Sequence, residues 1–341
     1  MALNRRQLLA ALSGMTFSLA CGKRAQQAVN TGYVEIAAAG SSDPSSRTIV
    51  VCMPDTTQTR EVWTGLKDEL EQDYRLVAVA VSHASEVAPI AEAIRRYKPA
   101  GLVLMNNPTT AAYRSYQLAS GLPQFPPAVI VMASFLDGHS HQIQAATGIS
   151  YEIPLITVVT NLRKLLASPI ERIGVIVRAP LRQFVERQAA LARREQISVV
   201  AEEVSMQPNA SELKRALRRI KHEADAVWVL NDDRLLSPRL ITEAWLPGLN
   251  ERPWCPAIVG AASLVSPVHS FGTFAMLPDH TALGAQAASV IFDIADNGWQ
   301  LRPDADVQLP LSTTTTMDRV QVDERFALRK DALLQVDRIL Q

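Results

Sequence analysis

Short β-branched runs ending in turn residues, each followed by a stretch with helical spacing, constrain this chain more than any other feature. Thr48–Met53 is such a run, stopped by Pro54 and Asp55, after which Val62, Leu66 and Leu70 recur at helical intervals. The strand signal repeats at 76–81, Gly101–Met105 and 128–132, with helical spacing between. Past 148–152 the series restarts. Helices are predicted over 154–166, 181–195, 210–222 and 238–245, and strands over 172–177, 199–204, 226–230 and 257–260. Parallel neighbours need a crossover, usually helical, so this order predicts an α/β fold of two doubly wound parallel-sheet lobes. A further helix is expected over 283–295, a β-prone connector over 313–316 and a C-terminal helix from Arg329.

The chain has 341 residues, enough for about two domains. Lys+Arg and Asp+Glu are 34 each, which argues against a nucleic-acid partner held by a clustered basic excess. With three cysteines and no CxxC or Cys/His cluster, neither a disulfide framework nor a structural metal is expected. His139 and His141, without nearby acids or thiols, make a poor metal pair. No G-x-S-x-G, P-loop, H-E-x-x-H or strand-following G-x-G-x-x-G occurs, so no enzyme and no cofactor are expected.

The N-terminus reads as an export signal. Arg5 and Arg6 precede an uncharged apolar run over 8–20, shorter than the roughly 20 residues that span a bilayer as a helix. Asn4-Arg5-Arg6-Gln7-Leu8-Leu9 resembles a twin-arginine motif, and the general secretion route fits as well. Ser18-Leu19-Ala20-Cys21 resembles a lipobox with Ser18 where Leu is usual, which predicts lipidation at Cys21 and a periplasmic lipoprotein touching the membrane only through that anchor. Residues 22–46 read as a flexible tether.

A set of short motifs follows in order: Thr147-Gly148-Ile149-Ser150, Leu162-Arg163-Lys164-Leu165-Leu166, Pro169, Arg172-Ile173-Gly174-Val175, Asp225-Ala226-Val227-Trp228-Val229, Asp232 and Gly284-Ala285-Gln286-Ala287-Ala288. In this the chain resembles ABC-transporter substrate-binding proteins of the type I periplasmic-binding fold, specifically the tryptophan/tyrosine-type family. The resemblance implies three crossings between lobes, with lobe 1 over 47–148 plus about 275–318 and lobe 2 over 149–274 plus about 319–341. It also implies an ABC permease, or another membrane transport component, as partner. Arg178-Ala179-Pro180 and Asn231-Asp232-Asp233 depart from the Asn-Pro-Gly and Thr-Asp-Asn of relatives.

In open parallel sheets ligands bind beyond the carboxyl ends of the strands. The candidate contacts are therefore Thr56, Thr57, Gln58, Asn106, Asn107, Ser134 and Phe135 in the first lobe, and Tyr151, Arg178, Asp232 and Ala262 in the second. Thr56 and Asp55 also read as helix caps, and Asn107 as a turn former before Pro108. Arg178 suits a carboxylate or a salt bridge, and Asp232 an ammonium. Neutral donors beside Met105, Met132, Ala133 and Phe135 suit a small apolar or amphipathic ligand with one polar end. An aromatic amino acid fits the family, and a lipid or sterol-like molecule fits the departures. The function expected is solute binding for an ABC-type transport system, with lipid carriage between membranes and ligand sensing as the alternatives. Trp228 is expected in the core, and Cys52 and Cys255 as isolated thiols.

Overall fold

The computed structural model describes residues 33–41, 46–136, 142–265, 271–329 and 331–340. The export signal, Cys21, His139 and His141 lie outside the described residues. The chain divides into two compact units: the described parts of Ala28–Ile153 with Leu277–Thr314, and of Pro154–Met276 with Thr315–Gln341. It passes from one to the other at 153/154, 276/277 and 314/315. Residues 149–153 thus fall in the N-terminal unit, and with them Tyr151.

The N-terminal unit contains β1 (Glu35–Gly40), β2 (Thr48–Met53), α1 (Thr57–Leu70), β3 (Arg75–Ala80), α2 (Val87–Tyr97), β4 (Gly101–Met105), α3 (Asn107–Ser120), β5 (Ala128–Val131) and β6 (Ala146–Gly148). Its sheet runs β1-β3-β2-β4-β5-β6. β3-β2-β4-β5-β6 pair in parallel, and β1 joins β3 antiparallel. Side chains alternate across a strand, so both faces of these apolar runs must be covered. Ile49, Val51, Met53, Val103 and Met105 pack on one face with Val62 and Leu66 of α1. Val50, Cys52, Leu102 and Leu104 pack on the other with Ile90 of α2 and Tyr113 of α3. Full burial pushes the Cys52 thiol up to about 12.

The second unit contains α4 (Leu155–Leu165), β7 (Arg172–Arg178), α5 (Arg182–Ala192), β8 (Ser198–Val204), α6 (Ala210–Glu223) and β9 (Ala226–Val229). A helical stretch from Pro238 to Asn250 and β10 (Ala257–Val259) follow. β11 (Phe274–Pro278) leads into α7 (His280–Asp296) of the first unit, and β12 (Thr313–Asp318), α8 (Arg319–Arg325) and β13 (Arg338–Leu340) complete the second. The sheet order is β13-β12-β11-β10-β9-β7-β8. Trp228 is buried, 5.9 Å from the Phe184 ring. Cys52 and Cys255 are buried free thiols.

Two expectations are corrected. The stretch read as tether contains a strand, Glu35–Gly40. Its Ala-rich sequence carries little β signal, and pairing on the edge of β3 supplies what propensity does not. The Tyr97 hydroxyl clasps it by donating to Glu35 at 2.6 Å. No helix starts at Arg329: a short 3-10 turn over Ala332–Gln335 leads into β13, parallel to β12. Asp337 decides this by accepting from the Thr315 backbone N–H at 2.7 Å and its hydroxyl at 2.8 Å.

Those bonds to Thr315 hold the Asp337 carboxyl below its ordinary range. A depressed folded value means that the stabilisation is present above the unfolded value, about 3.9 for Asp, and is lost as pH falls through the folded one. The Thr315 amide is expected to keep its hydrogen-exchange protection at pH 4 and to lose it only as pH falls through that lower value. In Asp337→Asn that pH dependence should vanish; an unchanged profile would refute the assignment.

Candidate functional site

Three non-glycine residues with left-handed backbone lie at the carboxyl ends of β4 and β5: Asn106 (φ 88°), Met132 (φ 57°) and Phe135 (φ 58°). Such conformations cost about 1–3 kcal/mol each and persist where neighbours enforce them. The Asn106 N–H donates to Val131 O at 2.9 Å, and the Phe135 N–H donates to Glu152 Oε2 at 2.9 Å. These bonds brace the turns at Asn106 and Phe135 along the rim, with Met132 directly after Val131. Phe135 is buried, and Ser134 is half-buried beside it.

Some polar candidates are engaged as caps. Thr56 caps α1 through a reciprocal box with Thr59, and Asp55 forms a two-bond pair with Arg60 at 2.6 and 2.9 Å. Asn106 caps α3, its Oδ1 accepting from the Thr109 N–H at 3.0 Å. Thr57, Gln58 and Asn107 are exposed in the first turns of α1 and α3. Tyr151 lies just past β6, on the same apolar cluster as Met132. Its hydroxyl is 3.0 Å from His280 Nε2, and His280 Nδ1 is 2.7 Å from Glu61 Oε2. Burial, with Glu152 and Glu61 adding to it, pushes the Tyr151 phenol above its ordinary value, so it keeps its proton. Glu61 and His280 were not candidates in the sequence; nothing local marks two residues 219 positions apart as neighbours.

In the second unit, Arg178 at the end of β7 and Asp232 after β9 meet each other. Arg178 Nε and Nη2 donate to the two carboxylate oxygens, both at 2.7 Å, and Nη1 donates to Met206 O at 3.2 Å. The side chains are 12% and 1% exposed, while that of Asp233 is 87% exposed. Asp232 Oδ1 also accepts from the Arg234 N–H at 2.9 Å, and Asn231 ties this loop to β10 through Gly260 O at 3.0 Å. Two candidates expected to reach for separate ligand groups thus form one buried pair. Its guanidinium retains one hydrogen on each Nη beyond these three bonds. Met206 beside it is 54% exposed, and Ala262 opens a short turn after β10.

Among the described residues no helix is long and apolar enough to cross a membrane. No group of three or more His, Cys, Asp or Glu there is arranged to hold a metal ion.

No protein-family model matches this sequence, and no curated protein matches it. Solved structures do. The ABC domain from Streptococcus pneumoniae in complex with L-Trp aligns over 86% of this chain and 100% of its own, at TM-score 0.56 and 17% identity. A ligand-free, open substrate binding protein with adhesive properties from Clostridium difficile aligns over 86% and 98%, at TM-score 0.61 and 12% identity. An arabinose binding protein from Geobacillus stearothermophilus aligns over 83% and 100%, at TM-score 0.51 and 12% identity. The chain has the type I periplasmic-binding fold: two α/β units, each built on a mostly parallel sheet, with three passages of the chain between them.

Proposed function

We propose that this protein is the solute-binding component of an ABC-type transport system, exported and anchored in the periplasm through a lipid on Cys21. It takes up a small apolar or amphipathic molecule at its strand-end loops. The observation that carries this reading is the rim of left-handed Asn106, Met132 and Phe135, since strain concentrated at the ligand-binding end of a doubly wound sheet is a mark of function. Thr57, Gln58, Asn107 and Ser134 supply neutral polar groups, and Tyr151, Arg178, Asp232 and Ala262 complete the set. The exposed Met206 beside Arg178 favours a second reading, carriage of a lipid or sterol-like molecule.

Native mass spectrometry of the purified protein, with extraction of what co-purifies, is expected to find one small molecule per chain. Phe135→Ala should weaken its retention by about 1–3 kcal/mol. Tight binding of a sugar or inorganic anion alone, with no affinity for anything apolar, would refute the ligand type. An acyl-chain probe should label the wild type and spare Cys21→Ser.

A further inference from the structure

With its imidazole neutral, the chain Glu61–His280–Tyr151 gives one hydroxyl of the rim a fixed polarity. An ionised carboxylate only accepts, so the Nδ1 that stands 2.7 Å from Glu61 Oε2 carries a proton. In a neutral imidazole the bond made by one nitrogen sets the role of the other. Nε2 is then the acceptor, and the group 3.0 Å away that can donate to it is the Tyr151 hydroxyl. That hydroxyl has a single proton; once it is given to His280, lone pairs are what it has left to offer. The ring is held in place as well: Tyr151 and His280 lie nearly parallel, 4° between planes, with centroids 6.1 Å apart.

The position of the chain ties it to the ligand face. Tyr151 follows β6 and packs beside Met132 at the end of β5. Glu61 lies one turn along α1 from Thr57, on the same side of the helix, so the chain starts next to the exposed first turn of α1. The His280 side chain is 13% exposed, whereas Glu61 is half-exposed and reaches solvent. A tie needed only for packing would not require a carboxylate to select the tautomer of a buried ring.

We propose that Glu61 and His280 act as positioning residues that hold the Tyr151 hydroxyl as a hydrogen-bond acceptor, and that the solute bound here presents a donor to it: an ammonium, amide or hydroxyl. This rests on the solute-binding reading above and narrows it. A ligand whose polar end is a bare carboxylate or ester meets lone pairs at Tyr151 and is disfavoured; one with an amine beside an apolar body is matched.

The test has one arm that needs no ligand. The full chain, labelled with 15N-histidine, is examined at pH 7.5 by long-range proton–nitrogen correlation. His280 is expected to show a protonated Nδ1 and a bare, hydrogen-bonded Nε2. Tyr151→Phe should shift the Nε2 resonance and leave Nδ1 protonated, and Glu61→Gln should release the tautomer. A protonated Nε2 in the wild type, or an Nε2 resonance indifferent to Tyr151→Phe, overturns the proposal. The second arm compares L-tryptophan with indole-3-propionate, which lacks the ammonium. The wild type is expected to prefer L-tryptophan, and Tyr151→Phe to cut that preference about tenfold. Equal affinities in the wild type overturn the donor requirement. Should neither probe bind, the aromatic amino-acid reading of the solute fails, while the imidazole resonances still decide the polarity. A co-purifying compound without any N–H or O–H then overturns the donor requirement.

Discussion

Gly284→Ala is expected to destabilise the N-terminal unit by about 3 kcal/mol, the upper part of the range for overpacking. α1 and α7 pack backbone against backbone at this point. A Cβ built on Gly284 would stand 2.7 Å from Leu66 N and closer still to Val62 O. From the other side, a Cβ on Gly65 would stand 2.8 Å from the Thr281 carbonyl carbon and closer to its oxygen. Backbone in the middle of a helix cannot step aside as a side chain tip can, so the helices must separate and open the apolar seam around Val62, Leu66, Leu283 and Ala287. Gly65→Ala should behave alike. Ser289→Ala, on the exposed side of α7, should stay within about 0.5 kcal/mol. Urea unfolding followed by a probe in this unit measures all three. A Gly284→Ala protein as stable as the Ser289→Ala protein would show that the seam yields at no cost. The same displacement would move His280, which begins α7, away from Glu61 on α1, so the tautomer of that ring should change along with stability.

The seam also explains why one short motif was readable. Gly284-Ala285-Gln286-Ala287-Ala288 stands out in the sequence because close helix packing demands small residues at fixed intervals, and Gln286 turns its amide to Gln308 and Leu309, both at 3.0 Å. The strands were readable for a similar reason. A sheet covered on both faces selects unbroken apolar runs, such as Ile49-Val50-Val51 and Leu102-Val103-Leu104, whatever lies beyond them. Four strands escaped; Ala146–Gly148 and Phe274–Pro278 are two of them, and the other two have their cause elsewhere in the chain. Glu35–Gly40 is recruited by the open side of β3, and Arg338–Leu340 by β12 and the Asp337–Thr315 bonds. The site divides in the same way. Strand ends located Asn106, Phe135, Arg178 and Asp232, because a parallel sheet places loops there by rule. Left-handed Met132 and Phe135 carry no glycine to announce them; their conformations are imposed by the tertiary surroundings, in Phe135 by Glu152. Pairings across long separations, Glu61 with His280 or Arg178 with Asp232, leave no periodic trace at all.

Breaking the Arg178–Asp232 pair should have the other large effect. Arg178→Ala leaves a carboxylate that is 1% exposed without its two short charged bonds, and stranding one partner of a buried ion pair costs about 3–5 kcal/mol. The Arg234 N–H, the other donor to Oδ1, cannot carry that charge alone. Replacing both partners by apolar groups of similar volume, Arg178→Met with Asp232→Leu, removes the stranded charge and should recover most of the loss, since a buried pair contributes little net stability against a well-packed apolar substitute. Stability and binding are then separable. If the pair serves only to close the loops after β7 and β9, the double variant should be folded and should retain solute as the wild type does. If the remaining Nη hydrogens of Arg178 face the solute, the double variant should be as stable and yet bind at least tenfold more weakly. Thermal unfolding and titration with the extracted solute, run on the same preparations, measure the two quantities side by side. An Arg178→Ala protein within about 1 kcal/mol of the wild type would mean that water reaches Asp232 in solution and would refute the stranded charge.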